Sequence, residues 1–160
     1  MSTTLDIRSK APFPAGALSN FAAHKFTIDG ITCASMEGFL QSLKIEDVAE
    51  QQRVCALVGE SAQKAGRHYD WATSGTLWWR GAPIDRLSDA YQALINRAYE
   101  ALFTQSDMFR AALAATGDRR IAHTIGKSDP CDTILTTEEY CTRLEQLRAH
   151  GRCAATRFDR

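Results

Sequence analysis

Between Lys25 and Lys44 the chain changes its hydrophobic period once, from the two-residue repeat of strands to the 3.6-residue repeat of a helix. The β-prone runs Lys25-Phe26-Thr27-Ile28 and Ile31-Thr32-Cys33-Ala34 flank Asp29-Gly30, a dipeptide suited to the positive backbone angles of a tight hairpin turn. Ser35 follows as an N-cap, and the spacing predicts a helix from there through about Glu46. A hairpin that feeds directly into a capped helix excludes an all-helical bundle. It points to an α+β domain.

The rest of the chain is read around that core. Pro12, Pro14 and Gly16 predict an irregular N-terminal segment over residues 1–15, with the domain proper at 16–150. A helix is expected over roughly 47–65, with Gly66 as its stop. Tyr69, Trp71, Trp78 and Trp79 stand among Gly and Pro, so 68–87 reads as a long aromatic loop, with one of Trp78 and Trp79 in the core. Ser88 caps a helix whose stripe is Tyr91, Leu94, Ile95, Ala98 and Leu102. A short helix should run from Asp107 to about Ala115, ending at Gly117. The capping-box pattern Thr136-Thr137-Glu138-Glu139 opens a last helix that buries Tyr140, Leu144 and Leu147. Gly151 is its expected end, and 151–160 is expected to be a flexible tail. The fold class is therefore α+β, a helix-rich single domain with a small antiparallel sheet.

Charge and cysteine usage narrow the functions available. The 160 residues hold nineteen basic and nineteen acidic side chains, so no global field draws the protein to nucleic acid or to a membrane. Anion recognition has to be local. No apolar run approaches the roughly 20 residues that span a bilayer, and the polar start MSTTLDIRSK lacks a secretory core, which leads to the expectation of a cytoplasmic protein. Cys33, Cys55, Cys131, Cys141 and Cys153 show no metal or redox spacing, and the four histidines are scattered, so neither a metal nor a cofactor is expected. Arg119, Arg120 and His123 read as a small solvated basic cluster.

The helix after Ser35 carries the chemistry. Glu37, Gln41 and Lys44 are related as i, i+4 and i+7 and share a face, while Met36, Phe39, Leu40 and Leu43 supply packing. Glu37 lies in the first turn, where the helix dipole favours a carboxylate. Glu37 and Lys44 are about 10 Å apart along the axis, too far for a direct ion pair but suited to opposite ends of one small ligand.

The motifs Leu18-Ser19-Asn20-Phe21, Phe26-Thr27-Ile28-Asp29-Gly30-Ile31-Thr32 and Ser35-x-Glu37-x-Phe39-x-Gln41-x-x-Lys44 resemble the opening of the NADAR/YbiA-like family. Ala65-Gly66-Arg67, Trp71 and Leu113-x-Ala115-Thr116-Gly117-Asp118 follow in matching order, so the resemblance covers roughly residues 16–149. Two departures stand out. Gly38 occupies the position where the family usually has His, and Ser128-Asp129-Pro130-Cys131-Asp132 replaces an aromatic-Gly pair after the late Asp.

The resemblance implies a YbiA-like fold and an N-glycosidase that cleaves the bond between ribose and a nitrogenous base. Its implied catalytic residues are Glu37 and Lys44, and its implied substrate-binding residues are Asn20, Phe21, Gln41, Arg67, Trp71 and Asp129. Cleavage builds positive charge at the anomeric carbon, which a nearby carboxylate stabilises. Lys44 has three roles open to it: protonating the departing base, holding a phosphate or hydroxyl, or attacking an opened ribose as an amine. The expected substrate is ADP-ribose attached to guanine in a nucleotide or nucleic acid, with single-stranded DNA preferred because unstacking a duplex base costs a few kcal/mol. Two alternatives stand beside it: a ribosyl-phosphate intermediate of riboflavin synthesis, and a non-catalytic module that binds ADP-ribose or a nucleotide.

Overall fold

A computed structural model describes residues 3–158. Strands β2 (Phe26–Ile28) and β3 (Ile31–Cys33) pair antiparallel, with Phe26 opposite Cys33. Asp29 and Gly30 take φ of 50° and 78°, the left-handed pair required at a two-residue hairpin turn. Helix α2 (Met36–Ser42) begins at Ser35, whose Oγ accepts from Gly38 N at 3.0 Å and donates to Leu57 O at 2.9 Å. All seven residues of α2 are buried. The helix stops at Ser42, short of the expected Glu46, because Leu43, Lys44 and Ile45 close with tighter three-residue bonds. The Leu43 carbonyl then accepts from Trp78 N at 2.7 Å.

The single helix expected over 47–65 is two helices, α3 (Val48–Cys55) and α4 (Gly59–Gly66). Gly59, at φ 53°, turns the chain between them. The break releases carbonyls that seat α2: Cys55 O accepts from Ala34 N at 2.9 Å, and Leu57 O accepts from the Ser35 hydroxyl. Gly38 faces this break so closely that a Cβ there would lie 2.6 Å from Leu57 O and 2.8 Å from Cys55 O. Steric room therefore accounts for the glycine at position 38.

The stretch 68–87 is not one loop. It contains the antiparallel hairpin β4 (Thr76–Trp79) and β5 (Ala82–Asp85), turned by Arg80 at φ 53° and Gly81 at φ 84°. Buried Gln51 binds this hairpin to α2: its Nε2 donates to Trp78 O at 2.8 Å and Ser42 O at 3.0 Å, and its Oε1 accepts from Arg80 N at 2.9 Å. Trp79 is core, edge-on to Phe39, with its Nε1 donating to Asp29 at 2.8 Å.

Helices α5 (Asp89–Gln105) and α6 (Asp107–Ala115) start at Ser88 and Ser106, and α5 buries the expected stripe together with Tyr99. Two expectations for the termini are overturned. The N-terminal segment is not irregular throughout, since β1 (Thr4–Asp6) pairs in parallel with β6 (Arg120–Ala122), and α1 (Ala15–Leu18) precedes the hairpin. The last helix, α7 (Thr137–Phe158), passes through Gly151 rather than ending there. Gly151 is packed under the Phe103 ring, 3.1 Å from the position its Cβ would take, so it serves helix packing rather than a stop. Among the described residues the strands thus form three two-stranded ladders, two of them antiparallel. Among the described residues no helix is long and apolar enough to cross a membrane.

Candidate active site

α2 is a short helix pressed between α3, α4 and α5, and its polar face opens on a cleft of about 380 Å³. Glu37, Gln41, Asn20 and Phe21 line this cleft, so four of the eight side chains singled out in the sequence come together. Glu37 is only 9% exposed. Its backbone N donates to Asn20 O at 2.9 Å, and its Oε1 accepts from Gln41 Nε2 at 2.8 Å. Burial raises the proton affinity of the carboxyl, opposed by the Gln41 bond and by the positive charge of Lys44. Lys44 is half-buried just past the end of α2. Burial lowers its proton affinity, Glu37 partly restores it, and Lys127 lowers it further. Lys44 is not among the residues that line the cleft, but it lies near enough to Glu37 for each charge to favour the other.

The opposite wall comes from far along the chain. His123, Gly126 and Lys127 follow β6, Thr133, Ile134 and Leu135 lead into α7, and Tyr140 lies in its first turn. Gly126 allows a tight curl, because a Cβ there would lie 2.3 Å from Thr137 Oγ1 and 2.7 Å from the His123 ring. His123 is half-buried, with Nδ1 2.9 Å from Ile7 O and its ring edge-on to Tyr140. It does not belong to a solvated basic cluster. Arg119 instead caps the end of α6 through Thr116 O at 3.0 Å. Tyr140 and Tyr99 are fully buried phenols whose proton affinity burial holds well above the usual range, so both act as donors. Tyr140 donates to Leu18 O and Tyr99 to Asn20 Oδ1, and together they fix the segment whose carbonyl receives Glu37 N.

Three of the expected substrate-binding residues lie elsewhere. Trp71 is 8% exposed and packs in the hydrophobic core, so it offers no face to the cleft. Trp78 likewise belongs to β4 and is no part of the cleft wall. Arg67 is exposed at the C-cap of α4, one turn beyond the cleft-lining Gln63. Asp129 is exposed and closes its own turn: its Oδ1 accepts from Cys131 N at 2.9 Å and its carbonyl from Thr133 N at 3.2 Å. Asp129 therefore shapes the loop between Lys127 and Thr133 without reaching the cleft.

His123, Lys127 and Tyr140 were not singled out as site residues from the sequence. The available signal was local: a glycine between a histidine and a lysine at His123-Thr124-Ile125-Gly126-Lys127, in a stretch with no helical or strand period. Among the described residues no group of three or more His, Cys, Asp or Glu could hold a metal ion.

Comparison with known proteins agrees with this architecture. A protein of Enterobacteria phage T4, described as an uncharacterized 17.1 kDa protein in the Gp30-rIII intergenic region, is 42% identical over 146 residues, covering 90% of this chain and 96% of that protein. The NMR structure of the Escherichia coli protein YbiA superposes with a TM-score of 0.64 at 20% identity, covering 100% of this chain and 90% of YbiA. The YbiA-like fold expected from the motifs is the fold observed. Residues 12–149 match the family of bacteriophage protein GP30.3, and the chain belongs to that family.

Proposed function

We propose that the cleft is the active site of an N-glycosidase that hydrolyses the bond between a ribose and a nitrogenous base. One observation carries this reading: a single buried carboxylate, Glu37, faces a ligand-sized cleft and is held there by Gln41. As the C–N bond breaks, positive charge grows on the anomeric carbon, and a carboxylate in a low-dielectric wall stabilises it more than water does. Glu37 then takes a proton from the attacking water, whose oxygen bonds to the anomeric carbon. The departing nitrogen takes a proton from Lys44, whose proton affinity is lowered chiefly by burial. Lys127, on the far wall, offers a second cation for an anionic substrate group. The residues invoked complete the reaction with water alone, so it calls for no cofactor.

The substrate we favour is ADP-ribose attached to guanine, in a nucleotide or in single-stranded DNA. Incubation with an ADP-ribosylated guanosine oligonucleotide should release free ADP-ribose, and Glu37→Gln should abolish that release while remaining folded. Full activity in a folded Glu37→Gln protein would falsify the assignment. A second reading is favoured by the volume, since about 380 Å³ lies toward the small end of ligand clefts. That reading is a free ribosyl-phosphate intermediate of riboflavin synthesis, with the same bond broken. Mass spectrometry of products from both substrates separates the two. Saturable ADP-ribose binding without turnover of either would instead identify a binding module.

A further inference from the structure

Gln41 is caught between two neighbours. Its Nε2 is committed to Glu37 at 2.8 Å, while its Oε1 is sealed from solvent and has no hydrogen-bond partner among the described residues. That oxygen sits where a side chain on residue 66 would begin. A Cβ on Gly66 would lie 2.0 Å from Gln41 Oε1, 2.8 Å from its Cβ and 2.9 Å from its Cδ. Gly66 is the last residue of α4, and the helix is capped by Arg67 at φ −67°. Gly66 is not among the glycines with positive φ, so backbone conformation does not call for glycine at this position. Glycine inside a helix costs about 1 kcal/mol relative to alanine. The steric room over Gly66 is what that cost secures.

We propose that Gly66 is a positioning residue for Glu37: its bare backbone admits the one Gln41 conformation that turns the amide N–H to the carboxylate. The amide oxygen rests against the α-carbon of Gly66, where it makes at most a weak C–H contact. A reversed amide would set its oxygen against a carboxylate oxygen, so the observed orientation favours the ionised form of Glu37 and opposes the larger effect of burial. A Cβ at position 66 displaces the amide and leaves the buried carboxylate without this donor. The proposal rests on Glu37 being the reacting group, but the coupling itself belongs to the protein before any substrate binds.

The test is carbon-13 titration of the Glu37 carboxyl in the full chain, run on wild type, Gly66→Ala, Gln41→Ala and the double variant. Both single variants should titrate at higher pH than wild type, and the double variant should match Gln41→Ala rather than add to it. Loss of one hydrogen bond to the ionised carboxylate should cut turnover on the acid side of the profile about tenfold. Should Gly66→Ala fail to fold, Gly66→Ala/Gln41→Gly removes both the 2.0 Å contact with Oε1 and the 2.8 Å contact with the Gln41 Cβ, and should fold and titrate as Gln41→Ala does. A wild-type titration in folded Gly66→Ala, an additive double variant, or failure of both to fold would each overturn the proposal. An active Glu37→Gln protein would sink the N-glycosidase reading while leaving the titration result intact.

Discussion

At the level of single residues, Glu37 carries a cost that its burial makes measurable. Its proton affinity is raised in the folded protein, chiefly by burial. The folded state therefore holds its proton to higher pH than the unfolded chain, for which the reference is 4.5. Stability must fall as pH rises from there through the folded value, and the full cost is present above it. Glu37→Gln removes the ionisation, so at neutral pH its melting temperature should exceed wild type by about 2–4 °C for each kcal/mol released. The gap should close as pH drops below the unfolded value. A scanning-calorimetry series in pH checks this, and a gap that persists in acid would contradict it. Lys44 calls for a different substitution. Lys44→Arg keeps a cation but cannot give up its proton. If Lys44 protonates the leaving base, turnover should fall by about 10² or more with KM little changed. If Lys44 only holds an anion, kinetics should stay close to wild type.

The helices and hairpins show which features could be read along the chain and which could not. The turn at Asp29-Gly30, the caps at Ser35 and Ser88, and the reciprocal capping box of Thr136 and Glu139 at 2.8 and 3.1 Å all lie in short windows, and all were legible. The hairpin at Arg80-Gly81 has the same geometry, but arginine carries no turn preference, and the tryptophans there read as loop. The division of α3 from α4 was hidden because its cause is tertiary: the freed carbonyls receive Ala34 and Ser35. That contact predicts a sign. Gly→Ala on an open helix face stabilises by about 0.5–1 kcal/mol. Gly38→Ala should instead destabilise by about 1–3 kcal/mol, because its Cβ would sit 2.6 Å from Leu57 O. Urea unfolding of this one variant decides between the two.

On the scale of the whole molecule, the cleft exists because distant segments meet, and this is why only one of its walls was legible. Asn20, Phe21, Glu37 and Gln41 fall within one sequence window, whereas the wall at 133–135 depends on a buried network no window contains. Arg86, 2% exposed, donates to both oxygens of Glu139 at 2.6 and 3.2 Å and to Thr133 O at 3.0 Å, with its guanidinium over the Tyr91 ring. Tyr91 in turn donates to Ile134 O. Burial alone would raise the proton affinity of Glu139, but bonds from Arg86, Gln92 and Thr136 more than offset it and leave it lowered. The pair therefore contributes stability above the unfolded carboxyl value of 4.5, and that stability is lost as pH falls through the lower folded value. Arg86→Met strands a mostly buried carboxylate and should cost about 3–5 kcal/mol at neutral pH. The same change frees the carbonyl of Thr133 from its tether, so substrate should bind more weakly, with KM rising more than kcat falls. Arg86→Met/Glu139→Gln, with neither charge left, should recover much of the stability without restoring KM, because the donor to Thr133 is still missing. Recovery of KM along with stability would mean that the cleft wall is held by other contacts.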